Sequence, residues 1–171
     1  FGMDLGALTT FFYGLRDREQ ILDIFEETTG SRLTQSFITP GGLMADVHPN
    51  FQKRIREFIK YFRKKLPEYD QLLTGNIIFR ERTKGIGIMS KETAIDYGVT
   101  GPSGRGSGFS CDVRKIAPYS AYPFVKFNEI TETAGDTYAR YLVRIREMWE
   151  SLNILEQLVD NIPQGQIMLE L

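Results

Sequence analysis

Ten large apolar residues near the C-terminal end recur at three- and four-residue spacing: Tyr138, Tyr141, Leu142, Ile145, Met148, Trp149, Leu152, Leu155, Val159 and Ile162. A strand alternates its faces every two residues, so only a helix carries this period. The spacing predicts a helix from Glu132 to Asn161, which at 1.5 Å per residue spans roughly 45 Å. A stripe that long must be covered along its length, which favours a helical bundle over a sheet-based fold.

The remaining chain reads as more helices around one irregular stretch. Met3, Leu5, Leu8, Phe11, Phe12 and Leu15 predict a helix over residues 3–15. Asp17 with Gln20 has capping-box chemistry, so a second helix is expected from Asp17, with Ile21, Leu22, Ile24 and Phe25 as its stripe and Gly30 as its stop. Phe51, Ile55, Phe58, Ile59, Phe62 and Leu66 form one face of a third helix that begins beside Pro49. Pro67 should kink or restart it, and Gly75 should end it. Ser90 is a candidate N-cap for a short helix to about Tyr97. In Phe37–Gly42 a proline is followed by two glycines, which signals a tight turn or a backbone brought close to something. Glycines and prolines crowd residues 98–131, where short strands are expected, around Gly108–Val113. The fold class is therefore mainly α, in the α+β sense. It divides into a helical part (1–97), a Gly-rich, short-stranded β insertion (98–131) and the long helix (132–162).

Composition closes several functional classes. There are 21 basic and 22 acidic side chains, so no whole-molecule basic field exists for nucleic acid. With one cysteine, Cys111, no disulfide forms within the chain, and a site built only from cysteines is excluded. His48 is the single histidine and lies in a loop beside Pro49, which leaves Ser/His/Asp-type chemistry without support. No apolar run approaches the length of a transmembrane helix. The opening Phe1–Leu8 reads like the interior of an apolar helix, so the expectation is a piece of a longer chain.

Three motifs invite functional readings. Gly104–Gly108 lacks the Lys-Ser/Thr ending of a phosphate loop and places Phe109 where a dinucleotide loop needs its third glycine; a packing loop is the better reading. Residues 51–90 carry 10 basic and 4 acidic side chains, most of the excess between Lys53 and Lys65. That helix could lie on a membrane or a partner, but a surface helix with a basic polar face is the simpler reading. Asp4 sits among apolar neighbours, where a carboxylate faces solvent or needs a buried partner. The residues by themselves define a mostly helical chain and no reaction.

Several strings, in order, resemble one family. They are Asp4-Leu5-Gly6-Ala7-Leu8-Thr9-Thr10-Phe11-Phe12-Tyr13, Arg18-Glu19, Pro40-Gly41-Gly42, and Leu72-Leu73-Thr74-Gly75-Asn76 with Phe79 and Arg82-Thr83. Tyr97–Pro102, Ser107-Gly108, Asp112–Lys115, Pro118–Tyr122, Gly135-Asp136 and Tyr138–Arg144 continue the set. Together they resemble the central part of the 49-kDa-type subunit of NADH:quinone oxidoreductase, respiratory complex I, in the superfamily of nickel–iron hydrogenase large subunits.

The resemblance implies a hydrogenase-large-subunit-like helical bundle. It implies packing against a small subunit that carries an iron–sulfur cluster, other peripheral-arm subunits and the membrane arm, with a quinone pocket between the large and small subunits. Asp4 becomes the catalytic carboxylate that pairs with a quinone-site histidine lying outside this sequence. Phe11 and Leu15 become quinone-lining residues, Leu15 replacing a family aromatic. Thr34, Thr39, Gly41 and Gly42 fall near the partner's cluster. Thr34 stands where many members have a histidine, and Thr39 replaces an arginine. No metal, NAD or cofactor is expected on this chain; FMN and iron–sulfur clusters belong to partner subunits, and quinone is the substrate. The implied location is peripheral, on the cytoplasmic or matrix face of an energy-transducing membrane.

Two alternatives stand beside it: a large-subunit piece of a membrane-bound nickel–iron hydrogenase-like complex, and a non-enzymatic scaffold or peripheral membrane-binding module using the basic helix. By itself the chain is expected to be inactive. It is also expected to self-associate through Met3–Leu15 and Tyr138–Ile162.

Overall fold

Three helices build the centre, and the middle one is the basic helix. A computed structural model describes residues 1–169. In it α1 spans Leu8–Thr29, α2 Phe51–Tyr69 and α7 Thr137–Leu158, with α2 held between the other two. The apolar face of α2 meets both neighbours: Phe58, Ile59 and Leu66 are buried with Ile24 of α1 and Leu152 of α7. A second cluster continues the core beyond α2, joining Tyr69, Leu73, Phe79, Tyr141 and Ile145. The mainly helical class expected from the periodicity is what the chain adopts.

The N-terminal region departs from the expected two helices. Residues 2–6 form a turn, not a helix, and α1 then runs unbroken to Gly30, whose positive φ of 76° closes it as expected. Asp17 does not start a second helix because its carboxylate is used elsewhere: Tyr61 and Tyr69 of α2 donate to it at 2.7 and 2.6 Å. With no local cap and only Gly14 to weaken the helix, the backbone ladder continues through it.

Pro67 does not restart α2 as a separate helix. The helix continues through it to Tyr69 and only then passes into a π-helical turn, Asp70–Thr74. Gly75 follows, then α3 (Ile77–Glu81), capped by the Asn76 side chain at 3.1 Å, and α4 (Lys91–Asp96), capped by Ser90 as the sequence indicates.

The strands are not at Gly108–Val113. Asp112 there accepts from the Arg114 amide and caps α6 (Val113–Ile116), so the segment turns into a helix. Residues 98–131 hold α5 (Gly101–Arg105), α6 and a 3₁₀ turn, Tyr122–Phe124. The glycine run is the end of α5 and the turn after it, and it packs closely: a Cβ on Gly106 would lie 2.9 Å from Arg140 Cγ of α7, and one on Gly104 2.6 Å from the Val99 carbonyl. The two-stranded sheet lies instead at the Pro-Gly-Gly turn. β1 (Ile38–Thr39) pairs antiparallel with β2 (Gly42–Leu43), with Pro40 and Gly41 (φ 95°) between them. Gly42 supplies the close approach, since a Cβ there would lie 2.2 Å from the Ile167 carbonyl oxygen.

The last helix is shorter than expected, 22 residues or about 33 Å. Asp136 caps it, and the residues before it are irregular because their backbone serves other partners: Glu132 N–H donates to the Arg105 carbonyl and Gly135 N–H to the Gly106 carbonyl, both at 2.9 Å. Tyr141, Ile145 and Leu152 of its stripe are buried against α2, α3 and the π-helical turn, while Tyr138, Leu142, Met148, Trp149 and Leu155 are half-buried. The Met3, Leu8, Phe11, Phe12 and Leu15 side chains stay exposed.

Three of the seven basic side chains of α2 pair with other segments. Arg54 pairs with Glu27 of α1 at 3.2 Å, Arg63 with Glu156 of α7 at 2.6 Å, and Arg56 with Asp160. Lys65 pairs with Glu68 at 2.6 Å. Lys53, Lys60 and Lys64 remain exposed without an ion pair among the described residues, and Glu57 lies between them. No helix among the described residues is long and apolar enough to cross a membrane.

Candidate functional site

The turn at residues 2–6 carries Asp4 at the head of α1. Ala7 N–H donates to the Gly2 carbonyl at 2.7 Å and Gly6 N–H to the Met3 carbonyl at 3.1 Å, while Gly6 takes a φ of 80°. These bonds fold the turn against the first residues of the helix. The Asp4 side chain is 78% exposed and lies 3.2 Å from the Phe1 amino group. Phe11 and Leu15 follow one helical turn apart on an outward face, flanked by Leu8 and Phe12, with the Phe11 and Phe12 rings 5.6 Å apart. An exposed carboxylate therefore heads an exposed aromatic face. A flat apolar molecule could lie on that face with a polar end toward the carboxylate.

The turn rests on a firm base. Leu5, Ala7 and Tyr13 pack on the cluster of Tyr69, Leu73, Phe79 and Tyr141, and a cavity of about 180 Å³ opens between Leu5–Ala7 and Leu73, Asn76 and Phe79. Tyr141 shares a 3.0 Å hydrogen bond with Thr74 of the π-helical turn, and its phenol is pushed up to about 12, chiefly by burial.

Thr34, Thr39, Gly41 and Gly42 are not brought to this place. They follow α1 in the chain, whose C-terminal end is roughly 28 Å along the helix from Phe11. Thr34 is exposed and takes a left-handed φ of 52°, uncommon for a threonine. Gly41 and Gly42 serve the hairpin, and Ile167 and Met168 of this chain cover the side on which a Gly42 side chain would project.

The polar centre that a capping-box reading misses is Asp17, only 3% exposed. Arg16 Nε donates to its Oδ1 at 2.7 Å, beside Tyr61 Oη at 2.7 Å; Arg16 Nη2 and Tyr69 Oη donate to Oδ2 at 3.2 and 2.6 Å. Burial alone would raise its pKa, but the hydrogen bonds from Arg16, Tyr69 and Tyr61 outweigh that and hold the carboxyl below its ordinary value. Burial and the same carboxylate push the Tyr69 phenol up. The sequence does carry a signal for it: Thr10, Asp17 and Ile24 recur every seven residues and are all buried, so Asp17 belongs to the inward face of α1.

A second set of ions frames a cavity of about 520 Å³ beside α5 and α6. Buried Arg105 is paired with Glu147, and Arg114 with Asp112 at 2.6 Å. Arg114 holds the Asp112 carboxyl below its usual range. No group of three or more His, Cys, Asp or Glu that could hold a metal ion occurs among the described residues.

Fold and site thus define a mainly helical chain that presents a carboxylate-headed aromatic face. Residues 4–171 match the family described as "Respiratory-chain NADH dehydrogenase, 49 Kd subunit", and the chain belongs to that family. It is 60% identical over 163 residues to the C/D subunit of the NADH-quinone oxidoreductase of Bacteroides thetaiotaomicron, covering 95% of this chain and 31% of the relative. It is 46% identical to the D subunit of the NADH-quinone oxidoreductase of Acidothermus cellulolyticus, covering 99% of this chain and 38% of the relative. Among solved structures, a chain of the membrane-bound sulfane sulfur reductase, an archaeal respiratory membrane complex, superposes with a TM-score of 0.94 at 36% identity; the match covers 99% of this chain and 46% of that one. The chain therefore spans about a third of the length of the NADH-quinone oxidoreductase relatives it matches.

Proposed function

We propose that this chain is the central part of the quinone-reducing subunit of a proton-pumping NADH:quinone oxidoreductase. Electrons would pass from NADH through FMN and iron–sulfur clusters on partner subunits to quinone at this subunit's interface. The observation that carries the reading is Asp4, an exposed carboxylate at the head of the exposed Phe11–Leu15 face, in a chain of the 49 kDa family. Phe11 and Leu15 form part of the wall for the quinone ring. Asp4 supports the charge of a histidine contributed from outside this chain, so that a proton is available as quinone is reduced. Thr34, Thr39, Gly41 and Gly42 form a separate contact with the iron–sulfur-carrying small subunit. Thr34 cannot titrate, so this side chain takes up no proton at that contact. The assembly sits peripherally on an energy-transducing membrane, at its cytoplasmic or matrix face, against the membrane arm.

The names of the relatives favour this reading over a hydrogenase-type subunit. The ion pairs between α2 and its neighbours argue against the membrane-binding module, since they use much of the charge that module requires.

The test is Asp4→Asn in the assembled oxidoreductase. The substitution keeps shape and removes charge. The expected result is at least a ~tenfold loss of quinone reduction, the size of one general acid–base contribution or less, with NADH reduction of a soluble artificial acceptor unchanged. Unaltered quinone reduction would refute the role of Asp4.

A further inference from the structure

Among the described residues, Tyr69 is the one side chain that belongs both to the Asp17 network and to the cluster beneath the Asp4 turn. Tyr61 and Tyr69 stand eight residues apart on α2, about 12 Å along its axis, and reach one carboxylate from its two sides. That geometry places Asp17 opposite the middle of their span and sets the register of α1 against α2. The Arg16 guanidinium lies 4.4 Å over the Tyr13 ring, and Tyr13 packs on the same cluster as Leu5 and Ala7. Immediately after Tyr69 the chain enters the π-helical turn, which places Leu73 in that cluster and Thr74 against Tyr141.

We propose that Asp17, acting through Tyr69, is a positioning residue that holds the Asp4 turn at the height of the Phe11–Leu15 face. The consequence for quinone rests on the function proposed above; the positioning itself does not. Tyr61 meets the same carboxylate but is absent from the cluster under the turn, so it is the natural control.

The experiment uses the assembled full-length oxidoreductase with Tyr69→Phe and, separately, Tyr61→Phe. Amide hydrogen exchange is followed over residues 3–7 and over α7. Tyr69→Phe should speed exchange in the turn about tenfold, the loss of one hydrogen bond to a charged acceptor, and leave α7 unchanged. Tyr61→Phe should leave the turn unchanged. No acceleration with Tyr69→Phe, or equal acceleration in both variants, overturns the proposal. If Tyr69→Phe fails to assemble, Asp17→Asn tests the same link with the same expected local acceleration. Quinone kinetics separate this proposal from the function it rests on. With Asp4 intact, Tyr69→Phe should raise the KM for quinone and lower kcat. In an Asp4→Asn background it should add nothing, because both changes act at one place. Additive losses refute action through Asp4. Faster exchange combined with a fully active Asp4→Asn variant would uphold the positioning and refute the assigned role of Asp4.

Discussion

Asp136→Ala should be among the most damaging single changes in this chain. The carboxylate is 7% exposed and joins two segments. Its Oδ1 accepts from the Ala139 amide at 2.7 Å and caps α7, while its Oδ2 accepts from the Gly85 amide at 2.8 Å. Around it Thr137 and Tyr138 donate to the Ile86 and Thr83 carbonyls, so one side chain organises the whole junction. Loss of an N-cap costs ~1 kcal/mol. Gly85 is exposed, so losing its bond adds only ~0.5–1.5 kcal/mol, for a total of about 1.5–2.5 kcal/mol. Urea unfolding followed by far-UV circular dichroism measures this. With a slope of about 2 kcal/mol/M, the midpoint should fall by about 1 M. Hydrogen exchange should show lost protection at Gly85 and at the first turn of α7. A midpoint change below about 0.3 M, or unchanged protection at Gly85, would mean that water replaces the carboxylate without cost and would refute this role for Asp136.

Acid should weaken the fold through Asp17 and Asp112, both held below the ordinary carboxylate value. Their contribution is complete above the unfolded value of about 3.9 and is lost as pH falls through the lower native values. Asp17→Asn should reduce the acid slope of the urea midpoint, and an unchanged slope would refute the linkage. The isolated chain should self-associate through the exposed Met3, Leu8, Phe11, Phe12 and Leu15 face and not through α7. Light scattering across a concentration series, with Phe12→Lys as the disrupting variant, tests this; a strictly monomeric chain would contradict it.

The helix faces are legible in the linear order because amphipathic period is a local property. Phe58, Ile59 and Leu66 are buried, and Leu152 with its neighbours lines the core, in the register that the spacing requires. The Ser90 cap, the Gly30 stop and the Pro-Gly-Gly turn are legible for the same reason, since each is satisfied within a few residues. The family resemblance reaches further: it is the ground on which Asp4 and Phe11 are proposed as a site, which composition and periodicity could not single out.

What stays hidden are choices made by distant partners. Asp17 and Gln20 have the local form of a capping box, but Tyr61 and Tyr69, 44 and 52 residues away, take the carboxylate, and the helix runs on. Asp136 and the carbonyls of Arg105 and Gly106 shorten the last helix, although its apolar pattern begins earlier. The basic face of α2 looks like an external surface in the sequence, and only the packing of α1 and α7 turns Arg54, Arg56 and Arg63 toward carboxylates. In each case the local signal is real, and a stronger bond to a residue far along the chain decides the outcome. Such a bond exists only once the helices have met, so short-range pattern cannot reveal it.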